Sequence, residues 1–325
     1  MTLAPQIQAL FAAAPEDSPG SLTVQEQRQR MRHLSDLTYR RFGRGAESVA
    51  AVTDYPVRVD GGEIVVRAYR PSEQGPLPAH VELHGGGWWL GSIDEYVNEA
   101  ICSYRCMHAH CVIFAVEYRL APEHPFPTAI DDVYAALRWI AGHAPELGID
   151  AGAISIGGNS AGGNLAAAVT LRARDTAGPR LVFQLLEVPA LDLTGDSMRA
   201  AIASEELAPI AHQLSEFETP LLRYFRDPAD ALLPLASPVL AEDLSGLPPA
   251  HIMTAEFDPL RDEGELYARL LTRAGVQATV TRHAGAIHGT SYLTRVWEPA
   301  QEWQREAAAR IRRAHERKGA GKLLW

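Results

Sequence analysis

From Tyr55 onward, short apolar runs alternate with longer helical stretches, and few folds accommodate that order. Residues 55–60 and 64–69 flank Gly61-Gly62 and predict a hairpin. Further strands are predicted over 80–83, 112–117, 153–156, 181–188, 251–255 and 278–282. Helices are predicted between them over 95–108, 129–143, 161–175 and 261–274. Strands this short and apolar, separated by helices, predict an α/β fold with a mostly parallel central sheet covered on both faces.

Two regions break the alternation. In the first fifty residues, Thr23 and Glu26 have the spacing of a capping box, in which each side chain satisfies a free amide of the other's backbone. Met31, Leu34, Thr38 and Phe42 follow at helical spacing, with Gly43 as the stop. The stretch 192–249 is rich in proline and acidic residues, with an apolar helical patch at 214–225. It is too long for a plain connection between strands and reads as lid material.

Composition narrows the class. Of 325 residues, 46% are hydrophobic and 22% charged, the balance of a globular chain with a sizeable core. A formal net charge of −10 argues against nucleic acid or an anionic membrane as partner, since either demands a basic face. Three cysteines cannot make a disulfide framework, which fits a reducing compartment. No basic residue precedes Arg28, so no secretory leader is predicted, and no stretch reads as a stable membrane insertion. The expectation is a soluble cytoplasmic protein.

The strongest local feature is Gly158-Asn159-Ser160-Ala161-Gly162-Gly163, placed directly after one predicted strand and before a helix. A serine on a strand-to-helix turn needs small neighbours, because the backbone there is strained and closely packed. The helix behind it aims amides and a positive dipole end at charge developing on the serine. A glycine-rich turn without chemistry would look similar in isolation.

A second glycine run supplies the complement. His84-Gly85-Gly86-Gly87 follows another strand, with Trp88 and Trp89 behind it. Consecutive glycines cost backbone entropy, and their use here would be to bring amide groups close to a substrate carbonyl. Such donors stabilise an oxyanion, at about 10²–10³ in rate for each one lost. The glycine patterns of nucleotide-binding loops are missing.

A serine nucleophile needs a base, and the base an acid to orient it. In sheets of this type the expected chain order is Ser, Asp or Glu, His, at the carboxyl ends of strands. Asp258 follows the predicted strand 251–255 and is preferred over Asp262, which is better placed to open a helix. His288 follows the last predicted strand between Gly285 and Gly289, and is preferred over His283 at that strand's end.

These pieces resemble the hormone-sensitive-lipase-like family of α/β-hydrolase esterases. The matching segments are HGGGWW at 84–89, YRLAPEHPFP at 118–127, DD at 131–132, GGNSAGGNLAAA at 157–168, EFDPLRDEGELYA at 256–268 and HG at 288–289. They keep the family's order and spacing from about residue 50 to 310. The resemblance implies an α/β-hydrolase fold with a helical cap, a triad of Ser160, Asp258 and His288, and an oxyanion hole from the amides of Gly86, Gly87 and Ala161. It implies a cap segment at 1–50, a hydrolase domain at 51–317 to which 192–225 adds cap material, and a tail at 318–325. The 118–127 segment is read as support for the site.

Three positions depart from the family pattern. Asn159 stands where Asp or Thr is usual, and Thr290 where Phe is common, altering a pocket wall. Glu187 ends an otherwise apolar strand, where a buried carboxylate is expensive unless paired or protonated. It either pairs with an arginine or faces water, or else it binds a cationic or hydroxyl-bearing substrate group. With Trp88 and Trp89, these three make up the expected substrate pocket. Cys102, Cys106, His108, His110 and Cys111 are dense enough to hold zinc, but the preferred reading is packing, with no metal.

The resulting expectation is a cofactor-free serine carboxylesterase, acting on short- to medium-chain esters through an acyl-enzyme. An acyltransferase with an alcohol or amine acceptor would use the same triad. A non-catalytic small-molecule binding protein could use the same scaffold, although the known binding branch lacks the histidine. The sequence is compatible with a homodimer.

Overall fold

A computed structural model describes residues 3–13, 22–72, 74–205, 207, 210 and 219–319. The described chain begins with α1 (Pro5–Ala12) and α2 (Val24–Phe42), followed by the hairpin β1 (Ala51–Val59) and β2 (Gly62–Arg70). Next come β3 (Leu77–Leu83), α3 (Tyr96–Ala109), β4 (Val112–Glu117), α4 (Thr128–Gly142), β5 (Ile149–Asn159) and α5 (Ala161–Asp175). β6 (Leu181–Glu187) leads to the short helices α6 (Asp196–Ile202) and α7 (Thr219–Tyr224). The chain then runs through β7 (Ala250–Phe257), α8 (Arg261–Arg273), β8 (Ala278–Ile287) and α9 (Glu298–Gly319).

The eight strands form one sheet in the order β1-β2-β4-β3-β5-β6-β7-β8. β1, β2 and β4 pair antiparallel, and every later pairing is parallel. This is the α/β-hydrolase architecture. Alternation along each strand divides the core between two faces. On β4, Val112, Phe114 and Val116 pack with α4 and α5, while Ile113 and Ala115 pack with α3 and α9. β3, β5, β6 and β7 are largely buried because both of their faces are covered, whereas the edge strand β8 is exposed along much of its length. Among the described residues, no helix is long and apolar enough to cross a membrane.

Several strands run longer than the sequence predicts, β5 among them at Ile149–Asn159, and three further departures bear on the site. β8 extends past 282 to Ile287, because a register shift between Ala255 and Phe257 lets Ile287 rejoin β7. The 22-residue α9 was not anticipated at all; its apolar positions Ala300, Trp303, Ala307 and Ile311 recur at helical spacing and are buried. α2 forms with the capping box intact; of the expected stripe Phe42 is buried, Leu34 and Thr38 are half-buried and Met31 is 44% exposed, while Tyr39, outside the stripe, is buried. Tyr39 is buried because it packs edge-on between Tyr96 and Tyr292.

Gly43 does end α2, but in an extended conformation (φ −95°, ψ 161°) and not the left-handed one typical of helix ends. A Cβ there would lie 2.5 Å from the Tyr39 ring, so the position is kept small by crowding. Of the apolar patch expected at 214–225, residues 214–218 lie outside the described residues, and 219–224 are helical as α7. The expected tail likewise lies outside them from residue 320.

Candidate active site

β5 ends at Asn159, and Ser160 makes the turn into α5 at φ +55°, ψ −119°. A non-glycine residue is strained there and stays only where its surroundings over-determine it. The surroundings do so through short contacts. The Ser160 N–H donates to the Glu187 carbonyl at 2.8 Å, and its own carbonyl accepts from Asn164 N–H at 3.0 Å. A Cβ on Gly158 would sit 2.5 Å from the Leu83 carbonyl oxygen, one on Gly162 2.1 Å from the same atom, and one on Gly163 2.8 Å from Pro189. The small residues around the serine are therefore demanded by close approach between strands and helix.

The turn presents the Ser160 hydroxyl to His288. Ser160 Oγ lies 2.9 Å from His288 Nε2, and His288 Nδ1 lies 2.9 Å from Asp258 Oδ2. Asp258 is 1% exposed, and its other oxygen accepts the Leu260 N–H at 2.9 Å, which fixes the carboxylate's orientation. His288 leaves β8 directly. Thr290 closes that turn, its Oγ1 accepting from Ile287 N–H at 2.9 Å and donating to the Ile287 carbonyl at 2.8 Å. His283 points elsewhere: its ring lies 4.3 Å from that of Trp303, and its Nε2 is 3.3 Å from a Glu306 oxygen.

The glycine loop lies against the serine turn. Gly86 and Gly87 have φ of +116° and +60°, and a Cβ on Gly86 would fall 2.3 Å from the Leu90 carbonyl oxygen. Among the loop's backbone bonds, the Gly86 carbonyl accepts from Trp89 and Leu90, while the Gly86 and Gly87 amides donate to none of the described carbonyls. Ala161 opens α5, so its amide is one of those a helix leaves unpaired. The 118–127 segment braces this loop: Tyr118 donates its hydroxyl to the His84 carbonyl at 2.7 Å, and Ala121 N–H donates to the Trp88 carbonyl at 2.9 Å. Burial holds His84 below the ordinary imidazole pKa, hence neutral, and its Nδ1–H donates to the Gly85 carbonyl at 2.8 Å.

A narrow cavity of about 20 Å³, room for about one water, lies beside His288 on the side of the sheet that holds Arg105 and Trp303, and Ser160 does not line it. Asn159, Glu187 and Thr290 line it, and Trp88 and Trp89 do not. Trp88 is 3% exposed and stacks on Tyr224 of α7 at 4.5 Å, while Trp89 lies under the Arg223 guanidinium at 3.9 Å. Their rings are engaged by the 219–224 helix, which also sets Pro220 against Gly87. Glu187 is paired with Arg105, so the arginine alternative holds, and both its oxygens are engaged, the second by Trp303 Nε1–H at 2.6 Å. Sequence reasoning missed Arg105 and Trp303; the signal available was a lone arginine on the helix face shared with Cys102 and Cys106.

A second serine–histidine contact exists, Ser155 Oγ to His315 Nε2 at 2.9 Å, and does not compete. Ser155 sits mid-strand at 0% exposure, sharing its hydroxyl with His80 Nδ1 at 2.8 Å, where no substrate can reach. Cys102, Cys106 and Cys111 are buried free thiols. Among the described residues, no group of three or more His, Cys, Asp or Glu is arranged to hold a metal ion.

Residues 80–291 match the family model described as alpha/beta hydrolase fold. The chain is 44% identical over 245 residues to the carboxylic ester hydrolase LipN of Mycobacterium tuberculosis, covering 73% of this chain and 64% of LipN, just under two thirds of that protein's length. It is 39% identical over 267 residues to the carboxylesterase NlhH of the same organism, covering 81% and 79%. The solved hyperthermophilic esterase of Pyrobaculum calidifontis superposes with a TM-score of 0.88 at 39% identity, over 96% of this chain and 99% of that one. An eight-stranded sheet, a strained serine at its carboxyl edge and relatives that are ester hydrolases agree: the chain belongs to the α/β-hydrolase fold family, among its hormone-sensitive-lipase-like carboxylesterases.

Proposed function

We propose that this carboxylesterase cleaves short- to medium-chain carboxylic esters through an acyl-enzyme on Ser160. The observation that carries the assignment is the unbroken chain of hydrogen bonds from Ser160 through His288 to Asp258. Ser160 attacks the acyl carbon while His288 Nε2 takes its proton, and Asp258 holds the imidazole in the tautomer that leaves Nε2 free to accept. The amides of Gly86, Gly87 and Ala161 receive the oxyanion. His288 then protonates the departing alcohol, and a water activated by the same nitrogen resolves the acyl-enzyme. α1, α2 and the described parts of 192–225 serve as the cap, with α7 seated on the oxyanion loop.

A turnover series on p-nitrophenyl esters of rising chain length, run beside Ser160→Ala, tests this. Ser160→Ala is expected to lose about 10⁵–10⁶-fold in kcat. Wild-type turnover in that variant would refute the assignment. Turnover that rises steadily toward long chains would overturn the proposed acyl range.

A further inference from the structure

Beneath the serine turn, on the side covered by α3 and α9, three charged side chains are buried together. Arg105, 1% exposed, donates Nη1–H to Glu82 and Nη2–H to Glu187. Glu82 lies two residues before His84, where the glycine loop begins, and Glu187 is the last residue of β6. β3 and β6 are the two neighbours of β5, the strand that delivers Ser160. Glu82 is in register with Gly157 and Glu187 with Asn159. One guanidinium therefore spans three strands. It ties the root of the oxyanion loop to the strand end whose carbonyl holds the Ser160 amide at 2.8 Å. Val188, next in the chain, is kept at φ +39°, a conformation a β-branched residue holds only under constraint.

Stability alone does not account for this cluster, because a buried ion set can often be replaced by apolar groups without loss. A planar guanidinium with two engaged arms fixes direction as an apolar contact cannot. We propose that Arg105 is a positioning residue for the reaction. Acting through Glu82 and Glu187, it holds the Gly86 and Gly87 amides in register with the Ser160 hydroxyl. This rests on the reading of Ser160 as nucleophile.

Arg105→Leu alone would strand two carboxylates, so the decisive variant removes the set together: Glu82→Leu, Arg105→Met and Glu187→Gln, the last keeping an acceptor for Trp303. This variant is expected to unfold as cooperatively as the wild type, with kcat on p-nitrophenyl butyrate lower by about 10–100-fold and KM within about two-fold. Arg105→Lys, which keeps the charge and loses the two-armed geometry, is expected to share the kcat loss. A folded triple variant with wild-type kcat, or with its loss confined to KM, overturns the proposal. If the triple variant does not fold, wild-type kcat in Arg105→Lys overturns it equally. A phosphonate probe separates the two readings: failure to label Ser160 in the wild type sinks the nucleophile assignment, whereas normal labelling beside an unaffected Arg105→Lys sinks only the positioning role.

Discussion

Asp258 shows how much of the site depends on single atoms. Its two oxygens have separate duties, one accepting from Leu260 N–H and the other from His288 Nδ1–H. Asp258→Asn preserves shape and burial but can present an amide N–H to the imidazole, which selects the wrong tautomer. Its kcat is expected to fall by about 10³–10⁴-fold with an unchanged unfolding midpoint, measured by steady-state kinetics beside urea denaturation. Retained kcat would mean that Asp258 does not orient the base. At this scale the serine was easy to read, because the requirement for small neighbours is written within five residues of it. Choosing His288 over His283 was harder, since both lie at the end of one strand. What separates them in space is α9, whose Trp303 and Glu306 engage His283 and leave His288 to face the serine.

The docking of α2 belongs to the next scale. Ser35 on α2 donates to Glu95 at the start of α3 at 2.8 Å and lies 2.7 Å from the Tyr292 hydroxyl, just beyond the histidine loop. Burial pushes the Glu95 carboxyl up from 4.5 to about 7; the Ser35 hydrogen bond opposes that rise, and the nearby Asp36 charge adds to it. Between about pH 4.5 and 7 the folded protein thus holds a proton that the unfolded chain releases, so stability falls as pH rises through that window and levels off above it. Glu95→Gln removes this dependence. It is expected to gain up to about 3 kcal/mol at pH 8 and far less at pH 5, read from urea unfolding at the two pH values. Equal gains at both would show that titration plays no part. The capping box of α2 was legible because it closes over four residues. Its buried face was not, because Tyr39 is chosen by aromatic partners 57 and 253 positions away, at Tyr96 and Tyr292.

Across the whole molecule, α9 closes one face of the sheet and supplies the far side of the layer that holds Arg105, Glu187 and His283. Ile311, at 0% exposure, is one of its anchors. Ile311→Ala is expected to cost about 2–5 kcal/mol, seen as a lower urea midpoint at unchanged slope, and a shift below about 1 kcal/mol would show that α9 is not needed to seal that face. The division between sequence and fold follows from the range of the forces involved. Strand alternation, the two glycine runs and the order Ser, Asp, His are local or serial properties, so the chain announces its sheet, its serine turn and its candidate triad unaided. The pairing of Glu187 with an arginine 82 positions earlier, the face that α2 buries and the histidine that reaches the serine are outcomes of packing between distant segments. Those were decided only when α3 and α9 came to rest on the same side of the sheet, because burial compels each buried charge and hydrogen-bonding group to find whatever partner lies across the gap.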